Sequence, residues 1–426
     1  MNPIVSRHPP PDRLRLQSVS GALGAECRQH WLNLERLRVY SLGAIVCYVV
    51  FVVIYSYRVL WQHVDIMPPA MDMLPFWSAS YLALHGHAID AYNVSIFTRV
   101  EIGVVPYLGK IGGIMPWLYP PTFLLVVYPL ALVPYTMAVG AFLGGTCTAF
   151  VMAIHAILPS RQSVWVALAF PGAALVVVMG QNAFLTGALA GFGLVLLRRR
   201  PILAGLCLGL LCMKPHLAVL FPLALLCSRS WRALASFTVT AALTLVFALL
   251  AFGPGTFGAF LHNAGMAAGY VESGGAVLAR LPTVFALIKL MTGSVALAYM
   301  AQGMSALLAA GAVCHVWGRE SSCSLRAATL IGASLLVSPY LHDYDLVWYG
   351  LLIAWYCRHC MAYGWKRGER EWLCVLWLAP LAGVFVVTRL QFQFMPLISA
   401  LTLCMLIRRV NFERRAPTVL QQDPGV

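Results

Sequence analysis

The chain has only 15 carboxylates in 426 residues, so those in apolar surroundings stand out. Asp72 lies in MDMLPFWSASYLALHGHAIDAYN, inside the polar interruption 62–119, which also holds Asp65, Asp90 and Glu101. His342-Asp343-Tyr344-Asp345 sets titratable groups side by side between two apolar runs. Lys214-Pro215-His216 breaks another apolar run, Gly180-Gln181-Asn182 a third, and Arg389 is followed by Gln391 and Gln393. A lone carboxylate can act as a general base, and a histidine beside carboxylates can shuttle a proton or orient a hydroxyl. A lysine or arginine in such a place can hold a phosphate. Each has a plainer reading: a hydrated loop residue or helix cap for Asp72, a polar turn for 342–345, a snorkelling lysine for Lys214, a helix-end anchor for Arg389. The spelling Asp343-x-Asp345 invites a nucleotide-sugar metal motif, but that motif needs a soluble nucleotide-binding domain, and no P-loop, GxSxG or HExxH signature stands in the chain.

The elements that must position these residues are greasy. The chain is 60% hydrophobic and 10% charged, against about 25% charged in soluble domains. Lipid is the solvent such a composition implies. The net charge of +14 does not indicate nucleic acid, because the basic residues fall in short clusters between apolar runs, where a polytopic membrane protein keeps its cytoplasmic anchors. Residues 1–38 read as a basic, disordered cytoplasmic tail without a cleavable signal, 39–410 as one integral membrane domain, and 411–426 as a second cytoplasmic tail. The cysteines sit mostly inside apolar runs. Cys357 and Cys360 with His359 would make half a zinc site, and no second pair stands nearby.

Charge then sets the topology. Arg28, Arg36 and Arg38 precede the first span, 39–60, so the interruption 62–119 faces outward. The segment 116–135 carries five prolines and reads as a kinked or re-entrant piece. The triple arginine 198–200 and the pair Arg229 and Arg232 place both ends of 201–228 inside, and about 28 residues are too few for two crossings of roughly 20. That stretch is predicted to be two half-helices meeting at Lys214. Residues 254–282 read as a glycine-rich external loop. Roughly 11–13 membrane segments result, with Asp72, Gln181, His342, Asp343, Asp345 and Arg389 on the outer side. The aromatic spacing of Phe76, Trp77, Tyr81 and Leu84 predicts an amphipathic interfacial helix after Asp72. No internal repeat is apparent.

In order along the chain, the acidic aromatic-rich stretch ending HGHAIDAYN, then WLYPPTFLLVVYPLALVP, GQNAFLTGALAG, RRPILAGLCLGLLCMKPH and LLVSPYLHDYDL resemble glycosyltransferase family 87, a group of GT-C-type polyprenyl-phosphate-mannose-dependent mannosyltransferases. The resemblance covers roughly residues 70–350. It implies an all-α polytopic fold with a long first extracytoplasmic loop, a site on the outer face of the cytoplasmic (inner) membrane, a polyprenyl-phosphate sugar as donor, and a glycan or glycolipid as acceptor. It maps the functional carboxylate to Asp72 and the histidine of the late SP-x-x-H motif to His342. Lys214, His216 and Arg389 then fall to the donor phosphate and lipid, and Trp77, Tyr119, Gln181, Asn182, Asp343 and Asp345 to the substrates. GT-C branches with an adjacent acidic pair differ from the single acid at 72, so no metal and no further cofactor is expected. A transporter or flippase of a lipid-linked or small polar substrate is the rival reading, and a scaffold that has lost activity a third.

Overall fold

A computed structural model describes residues 31–62, 69–110, 112–274 and 276–415. The basic tail 1–30, Asp65 and residues 416–426 lie outside the described residues. The described part is helical throughout, with no strand. Among the described residues, six helices are long and apolar enough to cross a membrane: Glu35–Val59, Tyr135–Ile157, Trp231–Phe252, Val295–Trp317, Glu369–Leu390 and Met395–Arg415. The pair Arg161–Leu168 and Pro171–Met179, bent by 50°, makes up to one more. Pro171 opens the second half of that pair, where its missing N–H and ring block a continuous helix. The remaining apolar segments predicted from sequence are shorter helices, among them Ala183–Leu196 and Cys323–Val337. The last helix runs to Arg415, so the first five residues expected in the C-terminal tail are helical.

Proline and helix-packing glycines explain the irregular pieces. Pro121–Leu132 is the proline-rich segment; at 1.5 Å per residue it spans about 18 Å, short of the ~30 Å hydrocarbon core. The predicted break at Lys214 is present: Pro201–Met213 and Pro215–Cys227 flank it, and Lys214 is non-helical at φ −137°, ψ 72°, as a residue before proline prefers. The first half-helix packs at backbone distance on Trp231–Phe252. A Cβ added at Gly205 would stand 2.4 Å from the Ala233 carbonyl oxygen, and at Gly209 2.7 Å from that of Phe237, the close approach that small residues permit in membranes.

Residues 254–282 differ from expectation. They form a 20-residue helix, Pro254–Ser273, and a short turn of helix, Ala276–Ala279. A Cβ added at Gly258, Gly265 or Gly269 would meet nothing within 4 Å. The helix is fastened instead on its other side, where Asn263 Nδ2 donates to the Tyr92 carbonyl at 2.8 Å.

The central core gathers Phe150, Phe184, Phe221, Trp348, Tyr349 and Tyr356 between helices Ala183–Leu196, Cys323–Val337 and Trp348–Tyr363. At the far end of Trp348–Tyr363, Arg409 pairs with Glu369 at 3.0 Å, and His359 has both ring nitrogens engaged, by Ser322 and Glu413. The stretch after residue 69 builds its own core. Phe76 meets Trp117, Tyr119 and Phe123 edge-on at 5.1–6.2 Å, a geometry favoured by the ring quadrupoles. Helix Leu74–Leu84 is therefore not the amphipathic interfacial helix expected. Eight of its residues are buried, including the polar-side Ser78 and Ser80. Only the edge formed by Trp77, Tyr81 and Leu84 looks outward, because the aromatic cluster covers the rest.

Glu101, expected to be a hydrated loop residue, is fully buried in helix Val94–Val104. No hydrogen bond of normal geometry reaches either carboxylate oxygen. Burial pushes its pKa up to about 8, and the Met115 backbone only softens the effect. Asp90 stays at the surface beside His87, 3.3 Å away. A carboxyl whose folded pKa is raised weakens folding as the unfolded chain ionises first. Glu101→Gln should therefore gain melting temperature over wild type as pH rises from 4.5, the ordinary value, and level off above about 8. Melting in detergent across that range reads it; a gap independent of pH would contradict a buried carboxyl.

Candidate active site

The site begins with a backbone contact. Gly180 has φ +80°, and a Cβ there would lie 2.6 Å from the Ala70 carbonyl oxygen. Only glycine allows both the left-handed turn and that approach. Ala70 is itself left-handed at φ +60°, its N–H donating to Val178 at 2.7 Å and its carbonyl accepting from Tyr135 at 3.3 Å. These contacts set the turn Met71–Met73 against the end of helix Pro171–Met179, and so bring Asp72 to Gln181.

Gln181 Nε2 donates to Asp72 Oδ2 at 2.9 Å. Its own Oε1 accepts from the Tyr119 hydroxyl at 2.9 Å and the Asn182 N–H at 3.4 Å. Two donors on Oε1 fix which end of the amide faces the carboxylate. Asp72 is half-buried, and burial raises its pKa while the Gln181 bond and the nearby Arg280 lower it. No hydrogen bond occupies Oδ1 among the described residues.

A second group lies behind the first. Lys214 Nζ donates to Asp345 Oδ1 at 2.6 Å and to Asn182 Oδ1 at 3.4 Å, and sits 4.8 Å over the Tyr344 ring. Both ionic side chains are buried, 4% and 0% exposed. Asp345 Oδ2 accepts the His342 backbone N–H at 3.3 Å. The His342 ring stacks on Tyr344 at 5.1 Å, and its Nδ1 is buried without a partner. Burial is the main reason its pKa falls to about 4, so the imidazole is neutral at neutral pH. His216 Nε2 and Asn182 Nδ2 are likewise unpartnered.

Sequence reasoning missed Arg280. It lies in the turn between Ala276–Ala279 and Val284–Thr292, and grips Asp343 through Nε at 3.1 Å and Nη2 at 3.0 Å. An arginine in a segment read as a glycine-rich loop gave no signal of its own; only the helical packing of 254–279 carries it to the turn 342–345.

The structure thus brings together Asp72, Tyr119, Gln181, Asn182, Lys214, His216, His342, Asp343 and Asp345, linked through Gln181, Asn182 and Lys214, with Arg280 on Asp343. It does not bring in Trp77 or Arg389. Trp77 donates to the Val133 carbonyl at 3.0 Å and, with Tyr81, Arg99 and Val104, lines a separate cleft of about 530 Å³. Arg389 is exposed at the end of Glu369–Leu390, beside the Phe385 ring at 5.9 Å. Gln181, one of the residues expected to touch substrate, holds Asp72, and Tyr119, another, holds Gln181.

The buried pair gives a test of the packing. Lys214→Met leaves Asp345 buried without its counter-ion and should cost about 3–5 kcal/mol, whereas Lys214→Met with Asp345→Leu should recover most of that loss. Unfolding in detergent micelles measures the cycle; independent, additive effects would mean that the two charges are separately hydrated.

The model of glycosyltransferase family 87 matches residues 117–339. That is more than half of the chain and takes in Tyr119, Gln181, Asn182, Lys214 and Arg280, while Asp72 and the turn 342–345 lie outside it. Comparison with curated proteins and with solved structures gave no match. The matched span and the apolar helices around it make the chain a multi-pass membrane glycosyltransferase, a member of glycosyltransferase family 87.

Proposed function

We propose that the protein moves a sugar, mannose by the family resemblance, from a polyprenyl phosphate to a glycan or glycolipid acceptor of the cell envelope, on the outer face of the cytoplasmic membrane. The observation that carries the reading is Asp72. It is a half-buried carboxylate held at one oxygen by Gln181, with the other oxygen unoccupied and a cluster of cationic and neutral groups alongside.

Asp72 Oδ1 takes the proton of the acceptor hydroxyl as that oxygen attacks the anomeric carbon. The bond from that carbon to the phosphate oxygen breaks in the same step, and the polyprenyl phosphate leaves with the electron pair. One displacement inverts the anomeric centre, so a β-linked donor gives an α product. His342, neutral and with an unpaired Nδ1, orients the acceptor. Asp343 and Asp345 are already neutralised by Arg280 and Lys214, and the reading needs no metal. Family membership favours the enzyme over a transporter.

Asp72→Asn, in membranes supplied with a labelled polyprenyl-phosphate sugar, should lower transfer by about 10²–10⁴-fold. Transfer near the wild-type rate would remove Asp72 as the base. Gln181→Leu removes a hydrogen bond that favours the ionised carboxylate, so the acid limb of the pH–rate profile should move up by about one unit. An unshifted limb with a lowered rate would give Gln181 a different role.

A further inference from the structure

Two cations serve this site, and they are not equally free. Lys214 is spent: it is enclosed, and Asp345, Asn182 and the Tyr344 ring occupy its ammonium. Arg280 is not. Its side chain is 38% exposed, whereas its partner Asp343 is 11% exposed. A guanidinium has five N–H donors in a rigid fork. Asp343 takes one from Nε and one from Nη2, and nothing among the described residues takes those of Nη1.

The orientation of that free edge is fixed twice. Asp343 N–H donates to the Arg280 carbonyl at 3.0 Å, which locks the two backbones together. Asp343 Oδ1 also accepts the Tyr344 N–H at 2.9 Å, so the carboxylate cannot swing away with the arginine. Arg280 also lies within electrostatic reach of Asp72. A planar fork clamped on one edge and open on the other matches two oxygens of a phosphate better than a lysine does. It would also meet the charge that develops on a departing phosphate.

From this geometry we infer that Arg280, held by Asp343, binds the phosphate of the lipid-linked donor, in place of the exposed Arg389. The inference rests on the proposed donor class. Asp343 is a positioning residue: it aims the guanidinium without touching the phosphate.

The test uses the full chain in nanodiscs, with a polyprenyl monophosphate and the polyprenol of equal length as probes, binding read by thermophoresis. Wild type should prefer the phosphate at least ten-fold. Arg280→Gln should bring the two probes to within about two-fold, Arg280→Lys should keep part of the preference, and Arg389→Gln should keep all of it. Melting temperature confirms that each variant is folded. A folded Arg280→Gln that retains the wild-type preference overturns the assignment, as does loss of the preference in Arg389→Gln alone. A wild type with no preference overturns the donor reading and this inference together. Phosphatidylglycerol in the nanodisc, or millimolar inorganic phosphate, should not erase the preference; if either does, the site takes any phosphate and the inference fails.

Discussion

Lys214 and Asp345, 2.6 Å apart and both enclosed, are the contact on which the rest of the site depends. Neither charge is tolerable alone in such surroundings, so each must find the other when the chain folds. Lys214 is available only because Pro215 stops the helix before it, and Asp345 only because the turn after Ser338 leaves its helix. Pairing them fastens the half-helix pair 201–227 to the end of Cys323–Val337. The same turn then presents Asp343 to Arg280 and stacks His342 on Tyr344. One desolvated ion pair thus holds segments from distant parts of the sequence in register.

The second constraint is steric. Gly180 and Ala70 meet backbone to backbone, and from that contact the Tyr119–Gln181–Asp72 chain follows. An amide pinned at its oxygen makes a directional donor. It holds one carboxylate oxygen and leaves the other open. This is how a single acidic residue, on a short turn outside any long helix, acquires a defined direction.

Much of this was legible in the sequence. Apolar runs gave the spans, basic clusters the break at Lys214, and the prolines of 116–135 the irregular helix there, because each is a local effect of side chain or ring on its own backbone; the bend at Pro171, in a run that reads as one continuous span, did not stand out. Asp72, Gln181, Lys214 and 342–345 stood out as polar groups in apolar surroundings. What stayed hidden depends on packing between distant segments. Glu101 looks solvated in a polar stretch, yet it is fully buried on helix Val94–Val104. Arg280 looks like loop until Pro254–Ser273 forms. Trp77 shares the helix of Phe76, yet one step around that helix points it to another cleft. Spacing along one helix cannot say which neighbour each face will meet.

The balance of charge bears on how the base could work. Asp72, Asp343 and Asp345 face Arg280 and Lys214, with His342 neutral, so the cluster is one negative charge in excess when Asp72 is ionised. Burial already raises the Asp72 pKa against the pull of Gln181 and Arg280. On the proposed reaction, a donor phosphate engaging Arg280 adds negative charge beside Asp72 and offsets part of that pull. The carboxylate then becomes more basic when the donor is bound than when the site is empty. A base strengthened by its own co-substrate accepts a proton more readily once there is a sugar to transfer. That ordering needs no moving lid, only Arg280 shared between an aspartate that aims it and a phosphate that arrives.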